Sequence, residues 1–240
     1  MNMRTTGNDD ANFDSHPPIG VSLYDTSIRQ FTAAYESLFA MTYAFLSTAA
    51  GEDADLLIVG AGTGMEICTF GRSNPRWSMT GVDPSGEMLA IAQKKIAEAR
   101  LTNPVKLFQG YVHDLPEDHL YDGATCILVM HFLPDDGSKL RLLESIGRRL
   151  KPGSPLILVD GFGVKGSEPF DSTVAAWKTF VKARGIDPQM VEDGFSGQIL
   201  KRLQFVPERR IEALLAEAGF DKPARFFTGF LYGGWVTTKK

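Results

Sequence analysis

Residues 56–67 read LLIVGAGTGMEI. The apolar run Asp55–Val59 is strand-length and ends on Gly60, the pattern of a strand buried on both faces. Gly60, Gly62 and Gly64 carry the chain round a bend free of bulky side chains, and Thr63–Gly71 then reads as a helix. Strand, glycine bend and helix in succession bring bare backbone to the carboxyl edge of a sheet, where a ligand can approach closely. The spacing is G-x-G-x-G, not the G-x-G-x-x-G that admits a pyrophosphate to a helix N-terminus. A nicotinamide dehydrogenase is therefore the weakest reading of this segment.

Working outward, the same rhythm repeats. Strands are expected at Trp77–Val82, Val105–Gln109, Ala124–Met130 and Leu156–Val159. Helices are expected at Ser85–Arg100, with Ser85 as N-cap, and at Lys139–Leu150, stopped by Lys151-Pro152-Gly153. Strand and helix alternating at about 25-residue spacing imply right-handed βαβ units and a doubly wound, mostly parallel α/β sheet. Residues 21–240 read as one domain, with a polar lead-in at 1–20 expected to be mobile. Residues 21–50 form a helical segment whose Ile28, Phe31, Tyr35, Leu38, Phe39, Tyr43 and Leu46 recur at helical steps. The cofactor-binding core spans 55–160, and 161–206 is an insertion predicted to hold one or two helices over the sheet edge. Residues 207–240 give an amphipathic helix ended by Gly219, then a hairpin of Ala224–Thr228 and Tyr232–Thr238.

Composition narrows the partners. The 240 residues are 43% apolar, and 25 Lys and Arg face 29 Asp and Glu, a net charge of −4. That balance offers no electrostatic footprint for duplex DNA or an anionic membrane, though a small basic patch for one RNA loop stays compatible with it. No apolar run approaches the roughly 20 residues of a membrane span, and the first residues lack a signal-peptide core, so the expected address is cytoplasmic. Cys68 and Cys126 lie in apolar stretches without metal-ligand spacing, as two buried thiols do in a reducing compartment.

The second chemical element is Asp83, in TGVDPSGEML, 19 residues after Gly64. A carboxylate just past the second strand can accept both hydroxyls of an adenosine ribose. As a plain helix-start acid it would merely balance a dipole, but paired with the glycine bend it reads as a ligand group.

LLIVGAGTG, GVDPSGEMLAIAQKKI, YDGATCILVMHFLPD and IGRRLKPGSPLILVD together resemble the successive motifs of class I S-adenosylmethionine (SAM)-dependent methyltransferases. The resemblance runs from about Asp55 to Asp160, with the terminal hairpin matching the family's antiparallel last strands. It implies a seven-stranded sheet and a cofactor site for SAM, with S-adenosylhomocysteine as product. Gly60, Ala61, Gly62, Thr63 and Gly64 would lie under the methionine and ribose parts. Asp83 and Pro84 would hold the ribose side, Met88 would pack near the adenine, and Met130 would complete the pocket. Two positions depart from the family. Ile58 stands where an acid usually precedes the first glycine, and Tyr111 replaces an acid in the third motif. Adenine recognition would then rest on the Val112 amide and on Tyr111, with Asp114 as a fallback. The run YDTSIRQFTAAYESLF is distantly similar to the lid of carboxy-SAM synthase-like members, in which Tyr35 would reach the cofactor. The cation that group uses for the extra carboxylate has only Lys201-Arg202 as a candidate, and Ile127 replaces that group's asparagine.

A sulfonium methyl already carries its leaving group, so alignment and water exclusion carry most of the chemistry and a base is optional. His131, after the fourth strand, is the candidate base; the alternative is a histidine that shapes the pocket. Phe162, Trp177 and Phe195 could wall an apolar acceptor pocket or be core. The leading reading is methyl transfer to a small-molecule acceptor. Beside it stand a carboxy-SAM-forming or RNA-modifying relative, if Lys201, Arg202, Arg209 and Arg210 faced the pocket, and a non-catalytic SAM-binding module.

Overall fold

The computed structural model describes residues 12–15 and 20–240; the rest of the expected mobile lead-in lies outside the described residues. Seven strands form one sheet in the order β3-β2-β1-β4-β5-β7-β6. They are β1 (Asp55–Val59), β2 (Ser78–Asp83), β3 (Val105–Gln109), β4 (Gly123–Ile127), β5 (Pro155–Gly161), β6 (Ala224–Gly229) and β7 (Tyr232–Thr238). The first five are parallel, whereas β7 runs antiparallel between β5 and β6.

Alternation along each strand divides the apolar side chains between two cores. Leu56 and Ile58 enter one, with Leu38 and Leu46 of α2 (Tyr35–Ala49), Ile67 and Phe70 of α3 (Met65–Ser73), and the insertion's Trp177. Leu57 and Val59 enter the other, with Leu143 and Ile146 of α5 (Ser138–Gly147) and Leu214 of α9 (Glu208–Glu217). Both faces are therefore covered, which is why the central strands read as unbroken apolar runs. Ser85 accepts a 3.0 Å bond from the Met88 amide and caps α4 (Gly86–Glu98), as the sequence predicts.

The insertion holds α6 (Glu168–Lys182), α7 (Pro188–Asp193), a π-helical turn at Gly194–Ile199 and α8 (Leu200–Arg202). It packs on the N-terminal helices: Trp177 Nε1 donates to the Phe31 carbonyl at 2.6 Å and Arg184 to that of Arg29 at 2.7 Å. Those carbonyls belong to α1 (Tyr24–Phe31). Trp177 and Phe195 are thus core residues between the insertion and the N-terminal helices, and Phe162 sits edge-on to Trp235 in the opposite core.

Two expectations are corrected. β4 stops at Ile127, not Met130, because Leu128 takes a left-handed φ of 58° and the chain then enters a 3-10 turn at Met130–Phe132. Residues 12–15 are also seated rather than trailing. Phe13 packs edge-on against Tyr24 and Phe132, and Asp14 accepts bonds from Ser85 and from the amide of Gly86 at the start of α4.

Behind the third motif, fully buried Arg149 donates to the carbonyls of Ser145 (3.0 Å) and Leu115 (2.5 Å), tying the 3-10 turn at Val112–Asp114 to α5. Arg149→Ala would strand these carbonyls and should cost about 2–4 kcal/mol of stability, read from urea unfolding.

Candidate functional site

The strand order reverses between β1 and β4, and the crevice outside the carboxyl ends of these strands is where such sheets take their ligands. The glycine bend fills this point. Amides of Gly60 and Ala61 donate to the Val82 carbonyl at 2.8 and 3.0 Å, clamping the bend to the end of β2. Gly60 has φ +73°, and a Cβ there would stand 2.2 Å from Val129 Cγ2, so no side chain fits. Asp83 completes the clamp: its Oδ2 accepts from the Gly62 amide and its Oδ1 from the Ser85 amide, both at 2.9 Å.

A cavity of ≈ 630 Å³ opens here. That is within the roughly 300–1,000 Å³ of small-ligand pockets. Gly60, Gly62, Asp83, Pro84, Met88, Tyr111 and Val112 all line it. Beside it a recess of ≈ 30 Å³ is lined by Tyr35, Ala61, Thr63 and Glu66, and by Tyr24, Gly60, Gly62, Ile127 and Leu128, which also face the larger space. The fit to a nucleoside rests on the donor set. Asp83 is 8% exposed, and each of its oxygens keeps a lone pair beyond the amide bonds for a ribose hydroxyl. Bare glycine backbone below and the apolar walls of Met88 and Val112 suit a flat base.

Other expected residues go elsewhere. Gly64 caps α3 and lines neither space. Met130 is fully buried; the 3-10 turn rotates its side chain into the core, and its carbonyl accepts a 2.8 Å bond from buried Lys139. His131 is 3% exposed, lies 2.9 Å from Asp160 Oδ1, and is packed by Phe132 and Tyr232, so its ring lines neither space. Asp114 is spent within its turn, accepting from the Tyr111 amide at 2.9 Å. Arg210 pairs with Asp135 and Glu217. Lys201, Arg202 and Arg209 line neither space, so this strip builds no basic pocket. Among the described residues, no three His, Cys, Asp or Glu side chains are grouped to hold a metal ion.

Several features lay outside the sequence reading. Phe13, Tyr24 and Phe132 roof the larger space, and their aromatic character was the only signal available. Asp25 of α1 accepts from Thr63 Oγ1 at 2.6 Å and pairs with Lys95 of α4, fastening α1 to the glycine bend. Glu66, in the first turn of α3, is 5% exposed and accepts from Thr125 Oγ1 at 2.5 Å. Thr125 is the β4 neighbour of Ile58, so this carboxyl stands beside the strand position that lacks the expected acid.

Burial sets the electrostatics. Desolvation pushes Asp83 up to about 6 against the lowering effect of its two amide bonds. It lifts Glu66 further, to about 8, with the Thr125 bond the opposing influence. The Tyr24 and Tyr35 hydroxyls are raised by burial and by the nearby carboxylates.

Residues 57–156 match the family model described as a methyltransferase domain. The chain is 29% identical over 179 residues to a demethylmenaquinone methyltransferase of Symbiobacterium thermophilum, covering 69% of this chain and 67% of that protein. It is 34% identical over 166 residues to one from Listeria welshimeri, covering 68% and 64%. The alignments thus span about two thirds of these relatives' length. Among solved structures, magnesium protoporphyrin IX methyltransferase from Synechocystis PCC 6803 with bound SAM superposes with a TM-score of 0.65 at 15% identity, covering 98% of this chain and 99% of that one.

Three variants test the site. Asp83→Ala should weaken SAM binding by about 1.5–3 kcal/mol in calorimetry, the range for a lost bond to a charged group. Because the ionised carboxylate is the better acceptor, its contribution to affinity should be complete above about pH 6 and fade as pH drops below it. Asp83→Asn should remove this part of the pH profile. Separately, Asp25→Ala should loosen α1 from the bend, seen as faster proteolysis within residues 21–50 and a several-fold weaker SAM affinity.

Proposed function

We infer that this chain, a class I SAM-dependent methyltransferase, methylates a small and largely apolar molecule. The observation that carries the reading is Asp83, which faces the larger cavity while its oxygens pin the glycine bend. One carboxylate thereby couples the shape of the bend to the ribose it would hold. Gly60 and Gly62 would pass under the ribose and the atoms that follow it. Met88, Tyr111 and Val112 would wall the adenine. When bound, SAM supplies a methyl group on a positively charged sulfur that leaves as the neutral thioether of S-adenosylhomocysteine.

The protein's part is then alignment and dryness. Phe13, Tyr24 and Phe132 cover the cavity, and the Asp25–Thr63 bond keeps α1 down on the bend. The larger space has the size of one cofactor-like ligand, so the acceptor would enter where Tyr24, Ile127, Leu128 and Phe132 meet. These walls suit an apolar body. The similarity to demethylmenaquinone methyltransferases favours an aromatic ring with an apolar tail over a nucleic acid. His131, held beside Asp160 and packed on Tyr232, would support the Phe132 wall as a positioning residue. A carboxy-SAM cofactor is less well supported: the arginines lining the larger space, Arg141 and Arg148, lie on or just after α5, beside the Val112–Asp114 turn.

The purified protein should bind SAM with a dissociation constant of micromolar order, about −8 kcal/mol. Given methyl-labelled SAM and a bacterial lipid and small-molecule extract, it should move the label into the organic phase. Label found only in RNA, or carboxy-SAM as the co-purified species by mass spectrometry, would overturn the proposed acceptor or cofactor respectively.

A further inference from the structure

The mechanism above leaves one buried acid without a task. Glu66 lines the ≈ 30 Å³ recess, and Gly60 and Gly62 line both that recess and the larger cavity that Asp83 faces. One of its oxygens accepts from Thr125, and the other makes no bond among the described residues. That second oxygen is not sealed in the core but open to the recess, where a donor or a cation can complete it. The recess has room for one water-sized group, which is also the size of an ammonium.

We propose that Glu66 is the counter-charge for the α-ammonium group of the cofactor's amino-acid tail. The proposal rests on the SAM reading. With the ribose at Asp83, a tail that runs on across Gly60 and Gly62, which line both spaces, would enter the recess that Glu66 lines. The groups facing Glu66 leave it without a cation of its own. The Tyr24 hydroxyl of α1, the Tyr35 hydroxyl of α2 and the Cys126 thiol of β4 surround it electrostatically. Arg29 of α1 pairs with Glu36 and Lys95 of α4 with Asp25, and no cation is among the groups that shift Glu66.

Burial without a counter-ion leaves Glu66 mostly protonated at neutral pH, since its pKa is pushed up to about 8. When an ammonium arrives, the carboxyl O–H bond breaks, the proton passes to solvent and the carboxylate pairs with the cation. Departure of the ligand reverses the exchange. Cofactor binding is thus coupled to release of a proton at this one group. The same group acts on folding. Its folded-state pKa lies above that of an exposed glutamate, so its stabilising contribution is complete below about pH 4.5 and is lost as pH rises through about 8.

The test is calorimetry at pH 7 in phosphate and in Tris, whose different ionisation enthalpies report the protons exchanged. Three probes are compared: SAM, S-adenosylhomocysteine, and 5′-methylthioadenosine, which shares the nucleoside and sulfur but lacks the amino-acid tail. Wild-type protein should release close to one proton with either tailed ligand and far less with methylthioadenosine, because Asp83 is already largely ionised at this pH. Glu66→Gln, which keeps the shape and a partner for Thr125, should abolish the release and narrow the affinity gap between S-adenosylhomocysteine and methylthioadenosine at least several-fold. Equal proton release with all three ligands, or an unchanged release in Glu66→Gln, would overturn the proposal while leaving the SAM reading intact. If none of the three ligands binds, the SAM reading itself falls.

Discussion

The Asp83 carboxylate, accepting the amides of Gly62 and Ser85, is the joint on which the site depends. It stands at the end of β2, reaches across to the bend after β1 and steadies the first turn of α4, so three elements share one anion. Hydrogen bonds to a charged acceptor are stronger than neutral ones, and burial removes the water that would compete for them. The same burial makes the charge harder to hold, which explains its elevated pKa. A bend made of glycines has no side chains to hold its own shape. Its form is imposed from outside by this carboxylate and by the Val82 carbonyl.

Around that joint, side chains from distant segments enclose the cavity. The aromatic roof of Phe13, Tyr24 and Phe132 comes from three separate parts of the chain. It is held from two sides: Asp25 joins α1 to Thr63 and Lys95, and the insertion grips the end of α1 through Trp177 and Arg184. At the floor, Leu128 adopts a left-handed conformation rare for a bulky residue, held by a 2.7 Å bond from its amide to the Val159 carbonyl. Such strain persists where surrounding structure over-determines it, and here it turns Leu128 toward both the larger cavity and the recess.

The site contains two buried acids with different surroundings. Asp83 is compensated by two amides, while Glu66 has a single hydroxyl donor, and the second is accordingly raised further. The contrast follows from position. Asp83 lies at a helix start rich in unpaired N–H groups, whereas Glu66 points from α3 toward the sheet, where the neighbouring backbone is already paired. A neutral ribose and a cationic tail are the partners these two environments suit.

Much of this was legible from residues 55–160, because strands buried on both faces and amphipathic helices impose periodicities that local sequence must carry. The glycine bend, Asp83 and the Ser85 cap were likewise readable, since each depends on residue type at a fixed offset within a few positions. What local pattern could not carry were contacts between distant segments: Asp14 on the start of α4, Asp25 on the bend, Glu66 beside Ile58 through Thr125. Met130 was read as the end of the fourth strand with a place in the pocket, and His131 as a base or a pocket-shaping residue; the chain turns at left-handed Leu128, and both side chains are buried. Sequence by itself determined the sheet's elements and their order along the chain, the glycine bend and the acid after the second strand, all consequences of short-range periodicity and backbone sterics. Only the tertiary structure decided which side chains close the cavity and which acid lies beneath it, because burial and pairing are properties of neighbours that the chain brings together from far apart.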